Sequence, residues 1–223
     1  MNDFYKQPKL LLWIAAIGLL FLGFYPALFI LEMGYAQPVF YLFFLFYLPI
    51  FQFAVTPIFR LTGIYKYYSP MLLGYMPNNK QIDLHSGGSF DYLFVMRNIK
   101  RGVGIRNKIL TYHLEGLMHI AKEIEDGSIN ESVYIVGTSY FFNARTLHKL
   151  GFELKQPSLF YRINLLANFI DIIWMYSLSQ GRLSMPKIWK ASKVSIEGKS
   201  LVDKKERIHE LHRKLTTKLI TTA

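Results

Sequence analysis

Two uninterrupted apolar stretches lead the chain, and their length decides its broad class. Residues 10–31 hold no charged side chain. As a helix, such a run spans a hydrocarbon core of roughly 30 Å. Residues 39–59 carry only Gln52 and Thr56 as polar groups. The link at 32–38 is short and lacks Lys and Arg, whereas Lys6 and Lys9 precede the first run and Arg60 and Lys66 follow the second. Cytoplasmic flanks are the ones enriched in Lys and Arg. The pattern therefore predicts an N-terminal transmembrane helical hairpin over 1–60, in an inner membrane of bacterial type, with both termini cytoplasmic. A cleaved signal peptide would have a shorter apolar core, and Glu32-Met33-Gly34-Tyr35 is a poor cleavage site. A hairpin that dips into the bilayer without crossing it has the same pattern, and that alternative stays open. Pro26, Pro49 and Pro57 kink or end helices, which membrane helices tolerate.

After Arg60 the apolar runs shorten and turn signals separate them. Residues 67–76, 81–85 and 90–96 read as three strands of an antiparallel meander, joined at Pro77-Asn78-Asn79 and Ser86-Gly87-Gly88-Ser89. A basic, glycine-containing loop follows at 97–106. Apolar positions at three- and four-residue intervals then predict a helix over 107–126, ended by Gly127. Residues 132–136 read as a buried strand, 141–150 as a short helix ended by Gly151, and 152–154 as a strand resumed around 160–165. Residues 165–178 are apolar except for Asn168 and Asp171. They are too few for a span, so they predict a helix on the membrane face or under the sheet. A last amphipathic helix falls near 202–220. The expected fold class is α/β (α+β): the hairpin at 1–60, a mixed sheet with helices at 61–180, and a basic, partly helical tail at 181–223.

Charge is as uneven as hydropathy. The only charges in residues 1–59 are Asp3, Lys6, Lys9 and Glu32, which cancel, so the net charge of +11 falls on residues 60–223. A basic surface calls for an anionic partner. Beside a membrane hairpin, anionic lipid headgroups or a phosphate-bearing cofactor suit it better than nucleic acid, for which no reading motif is present. The chain has no cysteine, which excludes disulfides, thiolate zinc sites and a cysteine nucleophile. His113 and His119 stand six apart, on different helix faces, and His209 and His212 have no third ligand nearby, so no metal site is expected.

Two groups of residues offer chemistry. Asp83 and His85 are two apart on a strand and share one sheet face. An imidazole titrates near neutrality and a carboxylate can orient it, so the pair suits a general base, with Asp91 joining from beyond the turn. Residues of these types also stabilise turns. The second group is the loop Arg101-Gly102-Val103-Gly104-Ile105-Arg106 ahead of a long helix. Helix N-termini and glycines let phosphate approach, and Arg97, Arg101 and Arg106 add charge. The loop lacks the Gly-Lys-Ser/Thr of a Walker motif and the third glycine of a Rossmann fingerprint. A solvated turn has the same composition.

Residues 67–165, and most of all 97–155, resemble the GNAT superfamily of N-acetyltransferases. The resemblance lies in Arg101-x-x-Gly104-x-Arg106 before a long helix, in the strand at 132–140, and in Asn143-Ala144-Arg145 followed by Lys149-Leu150-Gly151-Phe152-Glu153. Two positions depart from the family pattern. Arg106 stands where a small residue is usual, and Leu147, with His148 beside it, stands where the family often has a tyrosine acid. The resemblance implies acetyl-CoA, acyl-CoA or an acyl carrier protein as acyl donor. The pyrophosphate of coenzyme A would lie at Arg97, Arg101, Gly102, Val103, Gly104, Ile105 and Arg106. In this fold two strands splay apart at the cofactor slot. Tyr140 would stand there as proton donor to the leaving thiolate or as an aromatic packing residue, and Asn143 would bond the pantetheine arm or cap its helix. The expected function is a membrane-bound acyltransferase passing an acyl group from a thioester to an amine, which the hairpin suggests is lipid-like. The alternative is a non-enzymatic scaffold whose basic tail binds anionic lipid or a protein partner.

Overall fold

A computed structural model describes residues 2–138 and 144–222. Helices α1 (Lys9–Ala36) and α2 (Phe43–Leu61) lie side by side, and both α1 and the segment Pro38–Leu61 are long and apolar enough to cross a membrane. They meet through small residues. A Cβ on Gly23 would stand 2.6 Å from the Ala54 side chain, so the helices touch nearly backbone to backbone, as small residues allow in lipid. Leu10, Phe21, Leu22, Tyr25 and Leu28 point outward. Such a continuous apolar surface suits a bilayer and not water.

The rest of the chain builds a six-stranded sheet in the order β1-β2-β3-β4-β6-β5. Its strands are β1 (Tyr65–Ser69), β2 (Leu72–Tyr75), β3 (Gln81–Ser86), β4 (Tyr134–Thr138), β5 (Glu153–Lys155) and β6 (Lys193–Glu197). Only the β3–β4 pair is parallel. The helices are α3 (Ser89–Val95), α4 (Val103–Glu125), α5 (Ala144–Lys149), α6 (Leu159–Ala167), α7 (Phe169–Gln180), α8 (Gly198–Asp203) and α9 (Lys205–Thr222). One sheet face buries Leu72, Ile82, Leu84, Ile135, Val194 and Ile196 against Leu114, Leu117 and Ile120 of α4, with Leu201 and Ile208 closing the core. Alternation sends Tyr65, Tyr67, Leu73, Tyr75, Asp83 and His85 to the other face.

Several elements differ from the sequence expectation. Residues 67–76 form two strands, because the chain turns at Pro70 between β1 and β2. Residues 90–96 are helix α3 and not a strand. Phe90 and Phe94 pack on Phe4, while Tyr92 and Met96 join Met71 and Ile105 on another side. A helix buried on two sides reads as a continuous apolar run, the same signal as a buried strand. Residues 160–165 are helical too, since the Ser158 hydroxyl accepts the Tyr161 N–H at 3.3 Å and starts α6. Strand β6 was not expected. It lies between β4 and β5, so residues 181–223 complete the sheet and are not a separate tail.

A polar node ties the hairpin to the sheet. Asp91 is fully buried. It accepts a hydrogen bond from the Tyr67 hydroxyl at 2.8 Å and a longer one from the Asn2 amide at 3.5 Å. The Arg60 guanidinium lies 3.8 Å from the centre of the Tyr5 ring and 4.3 Å from that of Tyr67. Burial pushes the Asp91 carboxyl up to about 6, with Tyr67, Arg60 and Asn2 opposing it.

Candidate active site

The parallel pair β3–β4 is short, and its end makes the site. Gln81, Ile82 and Asp83 pair with Tyr134, Ile135 and Val136. The ladder ends there: Leu84, His85 and Ser86 pair only with β2, and Gly137 and Thr138 only with β6, while Leu84 and Gly137 still lie side by side, a Cβ on Gly137 standing 3.3 Å from Leu84 O. A cavity of about 1130 Å³ lies at this end of the pair. Leu84, Leu117 and Leu147 line it from the α4 side, and Tyr75, His85 and Tyr161 from the other. Ligands commonly bind beyond the carboxyl ends of parallel strands, where ladder groups are left free.

The far wall comes from the hairpin and α7. Gln52 and Thr56 of α2, the two polar groups of the second apolar run, both face the cavity. The Gln52 amide donates to Asn168 at the α6–α7 junction. Asp171 accepts from the Ser89 hydroxyl and, at 3.1 Å, from the Trp174 indole, which joins α3 to α7. Burial raises the Asp171 carboxyl to about 6.

Asp83 and His85 are brought together as the period of two requires. Asp83 Oδ2 lies 3.5 Å from His85 Nε2, both side chains are about half exposed, and both line the cavity. Asp91 also reaches the cavity wall, but its oxygens serve Tyr67 and Asn2 and it forms no group with His85. Tyr140 and Asn143 lie outside the described residues.

The basic loop sits elsewhere. None of Arg97, Arg101, Gly102, Val103, Gly104, Ile105 and Arg106 lines the cavity. The element before the loop is α3 where a strand was expected. Gly102 has φ +84°, a conformation that favours glycine, and its N–H donates to Leu178 O of α7 at 2.8 Å. Ile105 is buried beside Met71 and Ile109. Arg97, Arg101, Val103 and Arg106 are exposed at the start of α4.

Sequence reasoning passed over His113, which the structure brings to the cavity. It is buried on α4, and its Nδ1 lies 2.8 Å from Ile109 O. A carbonyl only accepts, so Nδ1 holds the proton and Nε2 offers a lone pair. The Ser86 hydroxyl, 2.9 Å away, donates to it. Burial lowers His113 to about 4. The folded state thus resists protonating a group that the unfolded chain protonates near 6.5. His113 therefore contributes stability that is complete above pH 6.5 and is lost as pH falls through 4. The expected loss is about 3 kcal/mol. Asp91 and Asp171, both raised, act in the opposite sense over the same range. Unfolding in detergent, compared between wild type and His113→Asn, isolates the term: the wild-type advantage should shrink steadily from pH 7 to pH 4. A constant difference would overturn this account. Among the described residues no group of three or more His, Asp or Glu could hold a metal ion.

Compared with known proteins, the chain matches no family model, no characterised protein and no solved structure.

Proposed function

We propose that this chain is a membrane-bound acyltransferase that moves an acyl group from a coenzyme A or acyl-carrier thioester to an amine on a lipid-like acceptor. The observation that carries the reading is a cavity at the carboxyl end of the β3–β4 pair whose far wall is the hairpin helix α2. At about 1130 Å³ the cavity has room for the extended arm of a thioester. Leu150 and Phe152, from the segment that resembles the acetyltransferase family, line it. Arg97, Arg101 and Arg106 are exposed outside the cavity lining, so in this reading the anionic end of the donor extends beyond the cavity to meet them. The Gln52 and Thr56 wall sets polar groups of the hairpin beside the place of an amphiphilic acceptor.

In this reading His85, oriented by Asp83, takes a proton from the ammonium form of the acceptor, since only the free amine attacks a carbonyl. The scaffold alternative draws less support. Its basic tail is partly neutralised within the protein: Lys205 pairs with Glu125, His212 lies 3.2 Å from Glu115, and Lys214 lies 2.5 Å from Glu210.

Thermal unfolding in detergent tests the function. A saturating acyl donor should stabilise the protein by about 2.7 kcal/mol at a hundredfold excess over its dissociation constant. Arg101→Glu should weaken coenzyme A thioesters more than the matching pantetheine thioesters, which lack the nucleotide. No shift with any acyl-coenzyme A or acyl carrier protein would sink the reading.

A further inference from the structure

We propose that Ser86, activated by His113, is a nucleophile that carries the acyl group as a covalent ester; this rests on the thioester reading above.

The local geometry sets Ser86 apart from the other serines of the cavity. The Ser89 hydroxyl donates to the Asp171 carboxylate, and the Ser158 oxygen starts helix α6. Ser86 donates to a neutral imidazole nitrogen whose tautomer is fixed from its far side by Ile109 O. A base within hydrogen-bond reach, itself oriented by a third group, is the arrangement that activates a serine. Here a helix carbonyl takes the orienting place that a carboxylate often holds.

The position of Ser86 in the chain also fits. It is the last residue of β3, at a strand-to-helix turn made by Gly87 and Gly88. Serine nucleophiles in α/β folds occupy turns of this kind, which present the hydroxyl above the sheet edge. A Cβ on Gly87 would stand 2.9 Å from the Asp91 side chain, so the turn closes tightly only with glycine. Both Ser86 and His113 line the cavity just beyond the last β3–β4 pair. The chain has no cysteine that could hold an acyl group as a thioester instead.

The steps balance without a further reagent. Ser86 Oγ attacks the thioester carbonyl carbon, and its proton passes to His113 Nε2. The C–S bond breaks, the thiolate takes that proton, and the free thiol leaves. A base as weak as buried His113 holds a proton only briefly, and a thiolate is strong enough to remove it. The acceptor, whose ammonium proton His85 has taken and passed to solvent from its half-exposed ring, then attacks the Ser86 ester. The proton released from its nitrogen returns through His113 to Ser86 Oγ as the C–O bond breaks. The product is an amide, and Ser86 regains its hydroxyl.

The test uses the full chain in detergent micelles with p-nitrophenyl decanoate, an ester that needs no recognition of coenzyme A or carrier protein. The expected result is a burst of one nitrophenolate per chain and, after acid quench, a decanoyl mass increase on the peptide holding Ser86. Ser86→Ala should lose both. Ser86→Cys should keep the adduct as a hydroxylamine-labile thioester, which also shows that the turn still folds. His113→Gln should slow the burst about 100-fold. Absence of an adduct on Ser86, or a Ser86→Ala variant that transfers acyl groups from thioester to amine at the wild-type rate, would overturn the proposal. An adduct on Ser86 in a protein that no acyl thioester stabilises would uphold this pair and remove the thioester reading.

Discussion

Replacing Arg60 by alanine is expected to cost about 2 kcal/mol of unfolding stability at pH 7, and at least half of that cost should vanish when Asp91 is already asparagine. Arg60 is the last basic group of α2 and lies against the rings of Tyr5 and Tyr67. A guanidinium over an aromatic face contributes about 0.5–2 kcal/mol, more when shielded from water. Its second effect is on Asp91, which is fully buried and whose carboxyl already lies near 6, so that at pH 7 protonation caps this part of the cost at about 1.4 kcal/mol. Without Arg60 that carboxyl rises further, because burial is then opposed only by hydrogen bonds such as those from Tyr67 and Asn2. The sign of the pH dependence follows. An acid raised by folding lowers stability as pH climbs through its folded value. The gap between wild type and Arg60→Ala should therefore be widest at pH 7 and narrow toward pH 5, where Asp91 is neutral in both. A double-mutant cycle with Asp91→Asn, read by unfolding in detergent, checks it. Equal losses in both backgrounds would show that Arg60 acts through its ring contacts alone.

The same node shows which parts of the molecule were legible in the sequence. The hairpin was, because each apolar run is long and local. So was most of α4, whose buried Ile109, Leu114, Leu117, Ala121 and Ile124 repeat at helical spacing. Helix α3 was not, because its aromatic residues are divided between two clusters, one of them formed with the remote Phe4 and Tyr5. Strand β6 did carry a signal: Val194 and Ile196 alternate with Lys193, Ser195 and Glu197. Five residues inside a basic stretch are a short record, and only pairing with both β4 and β5 gives them meaning.

The site divides in the same way. Asp83 and His85 could be paired on paper because strand geometry is local. Ser86 and His113 could not, since 27 residues separate them and their contact depends on how α4 lies across β3. The cavity is less local still. It exists because a parallel pair stops after three residues and because α2 returns to wall it. The basic loop was legible as a composition, but its place relative to the cavity depends on α7, whose Leu178 carbonyl holds Gly102.

Removing the His85 imidazole is expected to slow amide formation by 10²- to 10⁴-fold while leaving the fold and the first half of the reaction intact. His85 and Asp83 are about half exposed, so their ion pair contributes at most about 1 kcal/mol to stability. His85→Ala should unfold close to wild type. In the two-step scheme His85 acts only on the acceptor, so the variant should still form the Ser86 ester and accumulate it under turnover. The deficit should also depend on pH. An alkyl ammonium resembling lysine loses its proton near 10 in water. As pH rises toward that value, solvent supplies the free amine and the need for a local base falls. The ratio of wild-type to His85→Ala rates should shrink accordingly, and added imidazole should recover part of the loss at pH 7. Asp83→Asn should show a smaller deficit with the same pH trend, because it removes orientation and charge but not the proton acceptor. A deficit that is equal at every pH, with no ester accumulating, would place His85 in substrate binding and leave deprotonation to another group.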